Sequence, residues 1–348
     1  MEKQINEEVI ILGAGAPHRG DIPAVLWKTS SNKLILNWLL EALKFPNLSV
    51  KFVAGYKADS IKDSFPEIEF SINEKWRSMG STGSLLAQNI NFNKPLLVSY
   101  GDILYRSNVI KKLTSSKKPI CIVWDSKYKE EDSKKRGISF QERVQVIDKK
   151  VIRLGIDLPS ESSNGAFIGL IRLQPEVLKE IRSFDKKIIS KLESQHLSFL
   201  IEILRLRGYD VEAIDVRGDW AEVVEINDIA SFILGTKAKT LKRLQKMVVN
   251  SQIENQISFT KESWDSSNKE VINSIINLFG NKKNLIIRSS SQSEDCFEFA
   301  NAGKFKSILN VKPERNSIEN SIEEVINSFG KNVDKNDEVL IQPMLSDV

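Results

Sequence analysis

The feature that most constrains this chain is a short apolar run at residues 8–13 that ends in a glycine-rich segment, LGAGAPHRG (12–20). An apolar run of this length bounded by glycines predicts a buried parallel strand entering a tight turn. A helical stripe follows it, with Leu34, Leu36, Trp38, Leu39, Leu40, Ala42 and Leu43. Further strand patterns occur at VKFVAG (50–55), IEFSIN (68–73), PLLVSYGD (95–102), PICIVWD (119–125), GAFIGLIRL (165–173) and YDVEAIDV (209–216). RVQVID (143–148) and VIRLGI (151–156) read as a hairpin, and residues 125–140 as an exposed loop. Helices are expected near Ser81 or Thr82, at about 175–183 and 197–206, and from Ile229 to Met247. Strands that alternate with helices imply right-handed crossovers, hence an α/β fold with a doubly wound mixed, mostly parallel sheet.

At 348 residues the chain is long enough for two domains. Past residue 250 the texture becomes rich in Asn, Ser and Lys. Ile272, Ile275, Ile276 and Phe279 mark one helix face, residues 317–329 another helix, and LIIRSSS (285–291) and EVLIQPM (338–344) two strands. The chain stops at Val348, directly after a strand, so this second region reads as an incomplete domain. Two cysteines, Cys121 and Cys296, exclude a disulfide framework, and two histidines, His18 and His196, exclude a multi-histidine metal site. A net charge of +4 demands neither nucleic acid nor a membrane surface. No apolar run approaches the ~18 residues of a membrane span, and the acidic N-terminus is no secretory signal. A reducing cytoplasm fits.

The glycine-rich turn reads as an anion cradle, since glycines let backbone N–H groups approach phosphate and Arg19 adds a fixed charge. The bland alternative is a plain strand-to-helix turn. A dinucleotide fingerprint fails, because His18 stands where G-x-G-x-x-G needs its third glycine and the second strand ends in Gly55 and Tyr56 rather than an acid. No P-loop pattern occurs. Asp102 ends a central strand, where doubly wound sheets place their ligands; its bland alternative is a helix N-cap. A lone loop histidine such as His18 is ordinarily solvated, and Trp76 and Trp220 read as walls or core.

LGAGAPHRG resembles the signature loop of sugar-phosphate-type nucleotidyltransferases, and further pieces follow in that family's order. VAGY (53–56) resembles its second-strand end, NEKWRSMGSTGSLLAQ (73–88) the segment covering base and ribose in phosphocholine-type cytidylyltransferases, and SYGD (99–102) the strand whose aspartate binds magnesium. NGAFIG (164–169) resembles the acceptor-side strand and GDWAEVVEINDI (218–229) the late stretch supplying a second carboxylate. The resemblance implies a Rossmann-like domain over 1–232 that uses Mg2+ and CTP. It assigns nucleotide contacts to Leu12, Gly13, Ala14, Gly15, Ala16, Gly80, Ser81, Thr82 and Ser84, and catalytic roles to Arg19 and Asp102. Two departures stand out. Pro23-Ala24 replaces the family's Pro-Lys pair, which leaves Lys28 or Lys33 to substitute; Lys33 is taken here. Val224 occupies the late aspartate's place, leaving Asp219, Glu222, Glu225 and Asp228 as metal-ligand candidates. The Trp-x-Glu spacing from Trp220 selects Glu222.

LIIRSSSQSEDCFEFANAGKFKSILNV (285–311), LGTKAKTLKRL (234–244) and EVLIQPML (338–345) together resemble the start of the pyruvate phosphate dikinase and phosphoenolpyruvate synthase ATP-grasp domain. This implies an α+β N-terminal lobe over 233–348, with Lys237 and Arg288 as phosphate contacts for ATP. A surface lysine and a strand-end ion pair are the bland alternatives. Without the carboxylates of the later half, this part is expected not to phosphorylate anything alone. The pairing of modules resembles the L-glutamine kinase and phosphoglutamine cytidylyltransferase steps of capsular phosphoramidate synthesis, implying phosphorylated L-glutamine as acceptor. Open rivals are a sugar phosphate, phosphocholine or phosphonate acceptor, and a catalytically inactive module that regulates the kinase.

Overall fold

The computed structural model describes residues 7–17, 20–28, 33–45, 48–128, 141–224, 228–229, 232–233, 235–245, 248, 251–290, 305–330 and 337–345. The chain divides into two compact units, Met1–Ile229 and Ala230–Val348.

The first unit is built on a nine-stranded sheet. Its strands are β1 (Glu7–Gly13), β2 (Leu48–Ala54), β3 (Glu69–Ile72), β4 (Leu96–Tyr100), β6 (Ile120–Asp125), β7 (Arg143–Ile147), β8 (Lys150–Gly155), β9 (Gly165–Leu173) and β10 (Val211–Asp215). Their order is β3-β2-β1-β4-β9-β6-β10-β8-β7. β3, β2, β1 and β4 run parallel, as do β6 and β10, whereas β9 runs antiparallel between β4 and β6. A separate two-stranded ribbon pairs β5 (Ile103–Tyr105) with β11 (Trp220–Glu222). The helices are α1 (Ile35–Ala42), α2 (Ala58–Ser64), α3 (Ser81–Leu86), α4 (Ser107–Ser115), α5 (Pro175–Arg182), α6 (Lys186–Leu192) and α7 (Leu197–Leu206).

Every residue of β9 is buried, as a strand covered on both faces and both edges requires. One charge pair sits within this core. Arg172 on β9 grips Glu7 on β1 through Nη2–Oε1 (2.7 Å) and Nε–Oε2 (3.0 Å), and its Nη1 donates to the Ser116 carbonyl. The bidentate geometry offsets the desolvation of both charges. Nearby, burial pushes the Cys121 thiol up to about 12, with the Glu212 carboxylate adding to the shift.

The second unit has a four-stranded sheet with antiparallel pairings throughout, in the order β12-β15-β13-β14, from β12 (Ile257–Thr260), β13 (Leu285–Ser290), β14 (Ser307–Val311) and β15 (Glu338–Pro343). Helices α9 (Lys261–Phe279) and α10 (Arg315–Ser328) pack on one face through Trp264, Ile272, Ile275, Ile318 and Ile322. The helix expected from Ile229 to Met247 is not continuous. Gly235 takes φ +68°, which breaks the helical path, and α8 (Lys237–Leu244) starts beyond it. Among the described residues, no helix is long and apolar enough to cross a membrane.

Glu7→Gln is expected to lower the unfolding free energy by about 3–5 kcal/mol, because it strands a buried guanidinium; urea titration checks this. In a Cys296→Ser background, the Cys121 thiol should stay unreacted with Ellman's reagent at pH 8 while folded, since a thiol titrating near 12 is protonated there. Rapid labelling without denaturant would contradict that.

Candidate active site

The carboxyl ends of β1, β2 and β4 lie side by side, with Gly13 opposite Ala54 and Leu12 opposite Tyr100. The glycine-rich turn leaves from this edge, and glycine is needed there for close approach rather than flexibility. A Cβ on Gly13 would stand 2.2 Å from the Phe52 ring, and one on Gly55 would stand 2.6 Å from the Ala14 carbonyl and 2.7 Å from Trp76. The Tyr56 amide donates to the Ala14 carbonyl (2.8 Å), and the Gly101 amide to the Leu12 carbonyl (2.9 Å). A Cβ on Gly101 would lie 3.2 Å from the Gly13 Cα. Asp102 is the next residue, so the backbone carrying it abuts the start of the turn. Gly15 and Ala16 are exposed, with open space around Gly15.

The far end of the turn is tied down as well. The Asp21 carboxylate accepts from the Tyr56 hydroxyl and the Lys57 ammonium. The hydrogen bond from Lys57, then that from Tyr56, holds the Asp21 carboxyl below its ordinary range, and the bond to Asp21 raises both Lys57 and Tyr56. Trp76 packs edge-on to Tyr56 at 5.5 Å and carries the Arg77 guanidinium over its ring at 4.4 Å. Arg19 and His18 lie outside the described residues.

The segment expected to cover base and ribose docks on residues 193–198. Gly80 N donates to the Glu193 carbonyl (2.8 Å) and Thr82 N to that of Gln195 (3.0 Å). The Thr82 hydroxyl donates to the His196 carbonyl (2.7 Å), and Ser84 Oγ accepts from Asn73 Nδ2 (2.9 Å). Thr82 and Ser84 are buried, so their side chains hold the segment rather than face an open cradle. Ser81 Oγ accepts from Leu197 N (3.0 Å) and lies 3.1 Å from the Tyr100 hydroxyl, which donates to buried Glu142 (2.8 Å).

On the Asp102 side, the β5–β11 ribbon aligns Glu222 with Ile103, and Val223 N donates to the Asp102 carbonyl (2.7 Å). The late acidic segment therefore runs alongside Asp102, although strand alternation sets Val223, not Glu222, directly across from it. Asp219 pairs with Arg106 (3.3 Å), and Asp228 Oδ2 accepts from Val224 N (2.8 Å). Glu225 lies outside the described residues. Among the described residues, no group of three or more His, Cys, Asp or Glu side chains is arranged to hold a metal. Lys33 pairs with Glu41 and sits 4.1 Å from the Trp38 ring centroid, and Lys28 bridges Leu34 through its backbone.

One buried carboxylate lies outside the sequence expectations. Asp125 ends β6 and is 4% exposed. Its oxygens accept from Trp220 Nε1 (2.8 Å), Gly218 N (2.8 Å) and Lys127 N (2.9 Å). Burial raises its carboxyl above the ordinary range, and these donors, Trp220 foremost, pull it back. The one available signal was an acid ending an otherwise apolar strand.

In the second unit, buried Thr236 caps α8. Its hydroxyl accepts from Lys239 N (3.3 Å) and donates to Glu338 (2.7 Å), and Ala238 N donates to Ser290 Oγ (2.9 Å). Arg288 projects from the same face of β13 as Ser290, and its Nε is buried with no hydrogen-bond partner among the described residues. The helix start at Lys237 and the strand end near Arg288 are thus brought together.

Residues 221–332 match the family model of the pyruvate phosphate dikinase AMP/ATP-binding domain. The chain is 23% identical to a CTP:phosphoglutamine cytidylyltransferase of Campylobacter jejuni subsp. jejuni serotype O:2, over 57% of this chain and 86% of that protein. Among solved structures it resembles an inositol-1-phosphate CTP transferase from T. maritima, with a TM-score of 0.52, 17% identity, and coverage of 72% of this chain and 100% of the other. It also resembles a putative glucose-1-phosphate thymidylyltransferase from Bacillus anthracis, with a TM-score of 0.52, 14% identity, and coverage of 67% and 95%. These likenesses give the chain a nucleotidyltransferase fold, followed by a region resembling the pyruvate phosphate dikinase AMP/ATP-binding domain.

The two glycines make a contrast that stability measurements can read. Gly15→Ala should shift stability by no more than about 0.5 kcal/mol, because nothing lies within 4 Å of the added methyl. Gly55→Ala should cost about 1–3 kcal/mol, since backbone and a tryptophan must move. Equal thermal shifts would contradict the packing of the turn.

Proposed function

We propose that the first unit transfers a cytidylyl group from CTP to a phosphorylated small molecule and releases pyrophosphate, with phosphorylated L-glutamine as the acceptor and CDP-activated L-glutamine as the product. The observation that carries the reading is the hydrogen bond from Gly101 to Leu12, which sets Asp102 beside the glycine turn. The similarity to the Campylobacter cytidylyltransferase supports the choice of base and acceptor, and a role in modifying capsule polysaccharide is part of the same proposal.

The chemistry asks little covalent work of the protein. An acceptor phosphate oxygen attacks the α-phosphorus in line, and the bond to the bridging oxygen of pyrophosphate breaks. Both reactants are anions, so their repulsion must be neutralised. The amides of Gly13, Ala14, Gly15 and Ala16, with the Arg19 charge, cradle the triphosphate. Asp102 and a carboxylate of the 219–228 segment, read as Glu222, would hold Mg2+. That donor set suits magnesium, which is bound by one or two carboxylates together with substrate phosphates and keeps several waters. Bound magnesium would supply charge neutralisation at the phosphates. No side-chain nucleophile is needed, in keeping with the burial of Cys121. Lys237 and Arg288 would contact ATP phosphates in the second unit, and a cytoplasmic setting supplies both nucleotides.

A catalytically inactive nucleotide-binding module is the second reading. The engagement of Lys33 by Glu41 and the valine at position 224 favour it.

Pyrophosphate release with each nucleoside triphosphate and a panel of phosphorylated acceptors decides between these readings. Release is expected with CTP and phosphorylated glutamine. It should fall on the order of 10²–10³-fold in Asp102→Asn and about tenfold in Glu222→Gln. Turnover with UTP or GTP but not CTP rejects the cytidine assignment, and no turnover with any pair leaves the inactive module standing.

A further inference from the structure

Asp125 holds the segment whose backbone reaches Asp102. Its buried carboxylate, at the carboxyl end of β6, takes two of its three hydrogen bonds from one short stretch, Gly218 N and Trp220 Nε1. That stretch reverses the chain through two consecutive left-handed residues, Arg217 at φ +50° and Gly218 at φ +74°. Such a turn is uncommon for a non-glycine residue and needs outside support. Asp215 braces it from β10 by accepting from Arg217 N (2.9 Å). Immediately afterwards the chain forms β11, pairs with β5 and delivers the Val223 amide to the Asp102 carbonyl at 2.7 Å. An unbroken mechanical path thus runs from Asp125 through Gly218 and Trp220 to the backbone of Asp102 and the neighbouring acidic segment. The glycine turn is anchored independently, through Leu12, Ala14 and Asp21.

We infer that Asp125 is a positioning residue for the cation side of the site: it fixes the 217–223 segment, whose Val223 amide holds the backbone of Asp102, while the triphosphate cradle does not depend on it. The inference rests on the cytidylyl-transfer reading. It predicts a split that general destabilisation does not produce. Disturbing Asp125 should change the Mg2+ requirement and leave the CTP requirement nearly alone.

The experiment measures pyrophosphate release by the full chain against Mg2+ and, separately, against CTP, together with Mn2+ affinity by electron paramagnetic resonance in the absence of turnover, which should weaken in parallel with the Mg2+ requirement, and with thermal unfolding monitored throughout. Asp125→Asn keeps the shape but turns an N–H2 group toward N–H donors. Trp220→Phe removes a single hydrogen bond and keeps an aromatic ring, so it guards against a fold lost in the first variant. Glu7→Gln, which weakens β1 at its opposite end, is the destabilised control. The expected result is that the half-saturating Mg2+ concentration rises about tenfold in Asp125→Asn and severalfold in Trp220→Phe. The KM for CTP should stay within about twofold of the parent, and Glu7→Gln should shift neither. An unchanged Mg2+ requirement in a folded Trp220→Phe protein, or equal rises in the CTP and Mg2+ requirements, overturns the inference and leaves the transfer reading intact. A parent chain that releases no pyrophosphate overturns that reading, and this inference with it.

Discussion

The arrangement depends on how closely β1 and β4 approach at their carboxyl ends. A Cβ added at Gly101 would lie 3.2 Å from the Gly13 Cα, tighter than an ordinary contact, and the Gly101 amide bonds the Leu12 carbonyl. Two charge-bearing features of opposite purpose consequently begin one residue apart. A turn rich in backbone N–H groups suits phosphate, and a strand-end carboxylate suits a cation. Neither feature alone brings two anions together, and their adjacency is what makes phosphate transfer chemically reasonable.

Buried carboxylates do structural work across this sheet, Glu7 at the far end of β1 and Glu142 and Asp125 nearer the site. Glu7 locks β1 to β9 through Arg172. Glu142 ties the Tyr100 hydroxyl to Ser198 N at the start of α7, and with it the 80–82 segment. Asp125 holds the turn before β11. A buried charge is costly unless fully hydrogen-bonded, and these three are well supplied with donors. The site is framed by directional contacts rather than by apolar packing alone, which limits how far its parts can drift.

Much of the fold was legible because the first unit's strands are long and apolar. The runs at 8–13, 95–102 and 165–173 leave little choice of element, and the order of the short motifs pointed to the Asp102 edge. The antiparallel direction of β9 is not written in its own residues; it follows from the connection that leads into it. β5 and β11 are three residues each, too short for any periodicity to register, so the ribbon that brings the late segment to Asp102 was invisible. Gly235 inside an apolar stripe was read through, whereas its positive φ ends the helix. Thr82 and Ser84 were expected at the nucleotide because residues 73–88 resemble the family segment that covers base and ribose. Thr82 is buried against residues 195 and 196, more than a hundred positions away, and Ser84 is bonded to Asn73. Lys33 was chosen by charge and position, and its partner Glu41 became plain only once α1 was in place.

The central claim is that Asp102 holds a cation against a nucleotide seated on the glycine turn. Mn2+ binding, followed by electron paramagnetic resonance with a CTP analogue carrying a methylene between the α- and β-phosphorus atoms, tests it directly. The parent chain should bind the ion far more tightly with the analogue than without it, and a folded Asp102→Asn protein should bind it at least about tenfold more weakly. Equal Mn2+ affinity in the two proteins would contradict the account.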